Sequence, residues 1–122
     1  MILVDTSLWI DHLGKANETL MELLLASQIL SHPYIVGEVA LGDLPNRART
    51  IESLLVLPRA VVAATNEVPP FIERHNLFGT GIGYVDAHLL MSALLTPDAK
   101  LWTRDKRLNA AAVRLGVAAD FV

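Results

Sequence analysis

Cysteine is absent from this sequence of 122 residues. Its absence excludes a disulfide framework, a zinc–thiolate site and a thiol nucleophile, and it is compatible with a reducing cytoplasm. The longest apolar stretches, such as residues 89–95, are far shorter than the ~20 residues that a membrane-spanning helix needs. The N-terminus lacks a basic region and Asp5 interrupts its first apolar run, which argues against a signal peptide. We therefore expect a cytoplasmic protein without a membrane partner.

An excess of positive charge is also lacking, because the net charge is -3. This value argues mildly against a protein whose main task is to grip nucleic acid. Internal repeats and low-complexity tracts are absent, and a composition that is 52% hydrophobic and 19% charged argues against disorder. The chain is long enough for a real core, so we expect one domain over residues 1–122.

Short apolar segments alternate with longer helical patterns along the chain. The predicted strands are residues 2–4, 28–31, 60–64 and 100–103, with a marginal fifth at 117–119. Helices are predicted over residues 6–13, after Asn17, over 33–41, from Pro45 or Asn46 to 57, and over 66–76, 84–95 and 105–115. This alternation predicts the α/β class, as a three-layer α/β/α domain with a small central parallel sheet of four to five strands.

Four of the acidic residues lie in apolar surroundings: Asp5, Glu38, Asp86 and Asp105. Taken singly, each has a structural explanation. Asp5 and Asp105 can cap helices, Asp86 can favour a helix dipole, and Glu38 can pair with an arginine. Capping does not explain an acid in the middle of a helix, however, and ligands of parallel sheets bind beyond the carboxyl ends of strands.

If the four carboxylates converge, a cation is needed to offset their repulsion. Oxygen ligands without nearby histidine or cysteine suit Mg²⁺ or Mn²⁺ rather than zinc. Such a site fits hydrolysis of a phosphodiester bond by a metal-activated water. The acids would then be both metal ligands and catalytic residues.

Several segments, in this order and over nearly the whole chain, resemble the PIN-domain family and within it the VapC-type toxins of bacterial toxin–antitoxin pairs. They are VDTSLWIDHL at 4–13, VGEVALGDL at 36–44, GIGYVDAHLL at 81–90 and LWTRDKRL at 101–108. The last two together are the most specific. The resemblance implies an endoribonuclease dependent on Mg²⁺ or Mn²⁺. It also implies a homodimer and a cognate antitoxin whose C-terminal part covers the active site.

Carried over by position, the family's acids are the four named above, with Asp5 and Asp86 expected to bind the metal most directly. Glu38 and Asp105 are expected to act through water, through the local field or on a second ion. Three hydroxyl residues are predicted to support them by orienting a carboxylate or the attacking water: Thr6, Ser7 and Thr103. Helix capping is the alternative role for these hydroxyls.

Basic residues surround the last acid, and three of them are candidate RNA contacts: Arg104, Lys106 and Arg107. Pairing with Asp98 and Asp105 is their alternative role. The loop FGTGIG at 78–83 is interpreted either as admitting RNA close to the backbone or as a flexible connection. His88 lies two residues after Asp86 and is predicted to serve packing or hydrogen bonding rather than catalysis.

Two other enzyme classes fail on single positions. A phosphoacceptor receiver domain needs a second acid beside Asp5, and a haloacid-dehalogenase phosphatase needs an aspartate where Ser7 stands. The remaining alternative is a non-catalytic PIN-like module that binds RNA or a partner. The presence of all four acids favours the enzyme.

Overall fold

A computed structural model describes residues 1–121. These residues form a parallel sheet of three strands, β1 (Ile2–Val4), β2 (Ile29–Leu30) and β3 (Lys100–Trp102), in the order β2-β1-β3. Ile2 pairs with Ile29 on one side and with Lys100 on the other. Because all three strands run the same way, their carboxyl ends meet at one edge of the sheet.

Seven α-helices accompany the sheet in the described residues. They are α1 (Thr6–Gly14), α2 (Glu18–Leu25), α3 (Pro33–Ala40), α4 (Arg47–Leu55), α5 (Val68–Arg74), α6 (Tyr84–Leu95) and α7 (Lys106–Arg114). A single 3₁₀ turn, Thr65–Glu67, precedes α5. The α/β class and the parallel sheet agree with the sequence prediction. No helix of residues 1–121 has the length and apolarity that would let it cross a bilayer.

The predicted number of four to five strands is not confirmed in residues 1–121, because the outer segments pair at single bridges only. Residues 60–64 form no strand: Arg59 bridges Ser31, and then Val61 N–H donates to Thr96 Oγ1 at 2.9 Å. β2 cannot continue this ladder, because α3 begins two residues after Ser31. At the other side Ala118 bridges Leu101, where β3 is about to end.

Two helix starts bear on the acids, because each is capped by one of them. Asp5 itself, rather than Thr6 or Ser7, caps α1, and Asp105 caps α7 from just outside the helix. Asn17 caps α2 as predicted. The helix predicted over residues 66–76 is divided into the 3₁₀ turn and α5.

The core is centred on α6, whose residues 87–93 are all buried. Such all-round burial explains why this helix is apolar on every face. Trp9 and Leu20 of the N-terminal helices are also buried, and so belong to the core rather than to a partner surface, whereas Ile10 is 48% exposed. The first turn of α6, which carries Asp86, is therefore continuous with a helix that is anchored in the core.

Candidate active site

Asp5 is held at the end of β1 by hydrogen bonds to both of its carboxylate oxygens. Oδ1 accepts from the backbone N–H of Thr6 at 2.8 Å, and Oδ2 accepts from the hydroxyl of Thr103 at 2.7 Å. Its backbone N–H donates to the carbonyl of Trp102 at 2.9 Å, which extends the β1–β3 pairing. Asp5 is only 9% exposed. A buried carboxylate needs such partners, and here they also fix its direction.

Asp105 reaches the same edge from β3. Its Oδ1 accepts from the backbone N–H groups of Arg107 at 2.9 Å and Leu108 at 3.0 Å. Its own N–H donates to Thr103 Oγ1 at 3.1 Å. Thr103 therefore donates to one acid and accepts from the other, so the predicted supporting residue connects the first acid to the fourth.

Glu38 comes to the site from α3, which packs against α1. The hydroxyl of Thr6 donates to Glu38 Oε1 at 2.7 Å. This bond gives the mid-helix acid a polar partner other than the arginine considered from the sequence. Ser7 is exposed, and among residues 1–121 its hydroxyl bonds to none of the acids.

Asp86 lies in the first turn of α6, half-buried, with Oδ2 accepting from Gly83 N–H at 2.9 Å. Burial raises the pKa of its carboxyl; the Gly83 bond opposes this, and the charges of Asp5, Asp105 and Glu38 raise the pKa further. Each of the other three acids thus acts electrostatically on Asp86.

The four side chains do not form a compact cage. Within residues 1–121, no three acidic or histidine side chains are spaced to hold one metal ion. The local bonds give the reason: Asp5, Asp86 and Asp105 each turn an oxygen toward a backbone N–H at a helix start, while Glu38 turns toward Thr6. The capping explanation therefore holds for Asp5 and Asp105, while a shared metal position for the four carboxylates stays a prediction. The donor set is oxygen-only, which fits Mg²⁺ or Mn²⁺ chemically.

The candidate RNA-binding cations differ in their surroundings. Arg104 pairs with Asp11 at 2.9 Å, rather than with Asp98 or Asp105. Lys106 is exposed in the first turn of α7, and Arg107 lies against the loop before α6. Lys100 lies at the amino end of β3, away from the acids, where its Nζ donates to the carbonyl of Gly116 at 2.9 Å.

A buried histidine cluster lies behind the site and was missed in the sequence. His32 caps α3 by accepting from Tyr34 N–H at 3.1 Å, and its Nε2 contacts Ser92 Oγ at 3.0 Å. Burial, and then the charges of His88 and Arg59, lower the pKa of His32 to about 4. Histidine is not a usual capping residue, so the sequence carried only a weak signal, namely its place before Pro33.

His88 is fully buried, and its ring nitrogens have no hydrogen-bond partner in the described part of the chain. Its ring packs edge-on against those of Tyr34 at 4.7 Å and Tyr84 at 4.8 Å. Of the two roles expected from the sequence, these contacts favour packing. The same contacts brace the helix turn that follows Asp86.

Comparison with known proteins adds two findings, although no family model matches the chain. Proteins named Ribonuclease VapC32 from Mycobacterium tuberculosis strains CDC 1551 / Oshkosh and H37Rv are each 46% identical over 118 residues, covering 97% of this chain and 95% of the relative. The crystal structure of PAE2754 from Pyrobaculum aerophilum matches with a TM-score of 0.62 at 16% identity, over 91% of this chain and 78% of that one. The second likeness concerns the fold alone. The first, at 46% identity over nearly the whole chain, places the chain in the PIN-domain family, among its VapC-type ribonucleases.

Proposed function

We propose that this protein is a metal-dependent endoribonuclease and the toxin of a toxin–antitoxin pair. The observation that carries the proposal is the hydrogen bonding at the carboxyl ends of the strands, where Thr103 joins Asp5 to Asp105 and Thr6 joins the neighbouring α1 to Glu38. The charges of these three acids also raise the pKa of Asp86. Nearly full-length similarity to proteins named ribonuclease supports the choice of RNA as the substrate.

The acids fit a divalent cation because their mutual repulsion is the cost that a bound cation would offset. Asp5 and Asp86 are proposed as direct ligands, with Glu38 and Asp105 acting through water or on a second ion. When bound, the ion would activate a water molecule and stabilise charge on the phosphate oxygens of the RNA. A ligand set made of carboxylate oxygens suits Mg²⁺, for which Mn²⁺ is the usual substitute.

The protein's own contribution is orientation. Thr103 and the Thr6 N–H hold the Asp5 carboxylate from both sides, so this acid does not need to reorganise during the reaction. Thr6 restrains Glu38 across the α1–α3 contact. The cations Arg104, Lys106 and Arg107 follow β3 at this edge, where they are candidates to contact RNA phosphates.

The test is cleavage of varied RNAs by purified, antitoxin-free protein with Mg²⁺, with Mn²⁺ and with EDTA. We expect cleavage with either metal, none in EDTA, and loss of activity in Asp5→Asn. Asp98→Asn is the matched control, since Asp98 lies at the opposite edge of the sheet and asparagine tolerates its positive φ of 59°.

The alternative is a PIN-like module that binds RNA or a partner without cleaving it. Binding of RNA without cleavage under any metal condition would establish that alternative. Equal cleavage by Asp5→Asn and the parent would instead indicate a contaminating nuclease.

A cognate antitoxin, a homodimeric state and a cytoplasmic location complete the proposal. The antitoxin's C-terminal part would cover the acids, so adding antitoxin should stop RNA cleavage in proportion to the complex formed. Light scattering on the purified protein should give the mass of a dimer, twice the chain's 13.3 kDa. A monomeric mass would overturn the dimer and leave the nuclease proposal intact.

A further inference from the structure

The loop before α6 makes a close contact with α7 at Gly81 and Arg107. Gly81 has a φ of +86°, which favours glycine. A β-carbon at this position would lie 2.7 Å from Nη1 and 2.9 Å from Cδ of Arg107. The Arg107 side chain therefore lies in the space that a β-carbon at residue 81 would take, and it would have to shift to admit one.

This contact lies between two of the acids. Gly81 is two residues before Gly83, whose N–H holds Asp86, and Arg107 donates its own N–H to Asp105. The Arg107 side chain thus spans from the helix start that Asp105 caps to the loop that holds Asp86. It stands at the rim of the acidic site, and in residues 1–121 it takes part in no ion pair.

The neighbouring cations are less suited to an incoming phosphate. Arg104 already pairs with Asp11, and a phosphate would have to replace that carboxylate. Lys106 and Arg107 are both exposed, and Arg107 is the one of the two that lies against Gly81. A planar guanidinium matches phosphate oxygens in a two-pronged geometry, and placing it in advance reduces the ordering cost of binding.

We propose that Arg107 is the residue that contacts an RNA phosphate beside the cleaved bond, and that Gly81 is its positioning residue. The inference rests on the proposed ribonuclease function and assigns the FGTGIG loop a purpose: it makes room for the arginine. The ligand is a phosphate of single-stranded RNA, read without sequence preference at this point.

The first test measures binding of a fluorescent single-stranded RNA in EDTA, where cleavage is not expected, across a series of salt concentrations. Arg107→Met should weaken binding by about tenfold and reduce the slope of log affinity against log salt by about 0.7, the value for one phosphate contact on a single strand. Arg107→Lys should keep the slope, since the charge remains. Lys100→Met is the charge-matched control at the opposite sheet edge and should leave both values unchanged.

The second test isolates the glycine. Gly81→Ala should reduce affinity as Arg107→Met does, while Gly79→Ala should not. Gly79 is a close match because its φ is +71° and a β-carbon there would meet nothing within 4 Å. Combining Gly81→Ala with Arg107→Met should cause no further loss, because both act on the same contact.

An unchanged salt slope in Arg107→Met, or no RNA binding by the parent, would overturn the assignment of Arg107. Equal effects of Gly79→Ala and Gly81→Ala, with thermal midpoints confirming that both are folded, would overturn the positioning role of Gly81. These results are distinguishable from failure of the proposed function. If the parent binds RNA in the predicted manner but never cleaves it, Arg107 remains a phosphate contact, whereas the ribonuclease function and the position beside a cleaved bond are both overturned.

Discussion

The hydroxyl of Thr103 donates to Oδ2 of Asp5 at 2.7 Å, across a separation of 98 residues in the sequence. The Thr103 hydroxyl oxygen, Oγ1, also accepts from Asp105 N–H at 3.1 Å. One threonine therefore satisfies a buried carboxylate and fixes the start of α7. A hydroxyl can donate one bond while accepting another, which no aliphatic side chain of this size can do.

Thr103→Val tests this connection because it preserves shape and removes the hydroxyl. Asp5 would keep its charge but lose the bond to Oδ2, so we expect RNA cleavage to fall by about tenfold or more. Loss of the buried bonds should lower the free energy of unfolding by about 1–3 kcal/mol, measured by urea denaturation. Thr103→Ser keeps the hydroxyl and should retain most of both properties. Equal cleavage by the valine variant and the parent would show that RNA cleavage does not depend on the hydrogen bond from Thr103 to Asp5.

Asp86→Asn should separate activity from stability. Cleavage should fall by at least about 100-fold, as expected when charge stabilisation at a reacting centre is lost. The thermal midpoint at pH 7 should rise, because the variant removes a half-buried charge that three other acids repel. Since the pKa of Asp86 is raised in the folded state, its charge costs stability above that pKa, and the gain should shrink as pH falls through it.

Divalent cations provide the companion measurement for Asp86→Asn. Mg²⁺ should raise the thermal midpoint of the parent, because it binds the folded state, and it should raise that of the variant much less. Asp98→Asn should respond to Mg²⁺ as the parent does. If Mg²⁺ raises the thermal midpoints of the parent and Asp86→Asn equally, the ion binds away from Asp86. If it raises neither, the protein does not bind Mg²⁺.

Much of the fold could be predicted from local signals. The span of α6 agrees with its sequence prediction, because its unbroken apolar run needs no tertiary information. The segment 60–64 reads as a strand from composition alone, yet Val61 gives its N–H to the Thr96 side chain. Thr96 is distant from Val61 in the sequence, and no local pattern indicates that the two residues are hydrogen-bonded.

For the candidate site, the sequence predicted where Asp5 and Asp105 lie in the fold but not how their side chains are oriented. Asp5 and Asp105 were expected at the ends of strands and are found there. The bond from Thr6 to Glu38 and the contact of Arg107 with Gly81 join elements far apart in the chain. Both depend on how helices pack, which a single sequence does not specify.

Because His32 is buried, the free energy of unfolding should change with pH in the mildly acidic range. Its neutral ring accepts from Tyr34 N–H at Nδ1, so Nε2 carries the proton toward Ser92. The pKa of this histidine falls from 6.5 to about 4 in the folded state. Its contribution is therefore fully present above pH 6.5 and is lost as pH falls toward 4, to a total of about 3 kcal/mol.

His32→Asn isolates that contribution, because an asparagine oxygen can still cap α3 but does not titrate. Urea unfolding of both proteins between pH 7.5 and 4.5 is the measurement. The variant should be less stable at pH 7.5 by about 1–2 kcal/mol, from the lost Ser92 contact. Its stability should then fall less steeply with acidification than the parent's. Parallel curves would mean that His32 does not titrate in this range.

Asp105 distinguishes capping from charge most clearly, because its Oδ1 accepts from two backbone N–H groups. Asp105→Asn should keep the cap and the thermal midpoint while lowering RNA cleavage by roughly tenfold, less than Asp5→Asn, since Asp105 is proposed to act through water. Asp105→Ala should lose the same activity and also about 1 kcal/mol of unfolding free energy. The control is Asn17→Ala, which removes the equivalent cap of α2 and should cost similar stability without loss of cleavage. If Asp105→Asn cleaves RNA as the parent does while Asp105→Ala alone is impaired, then the fourth acid is a helix cap and contributes no charge to the reaction.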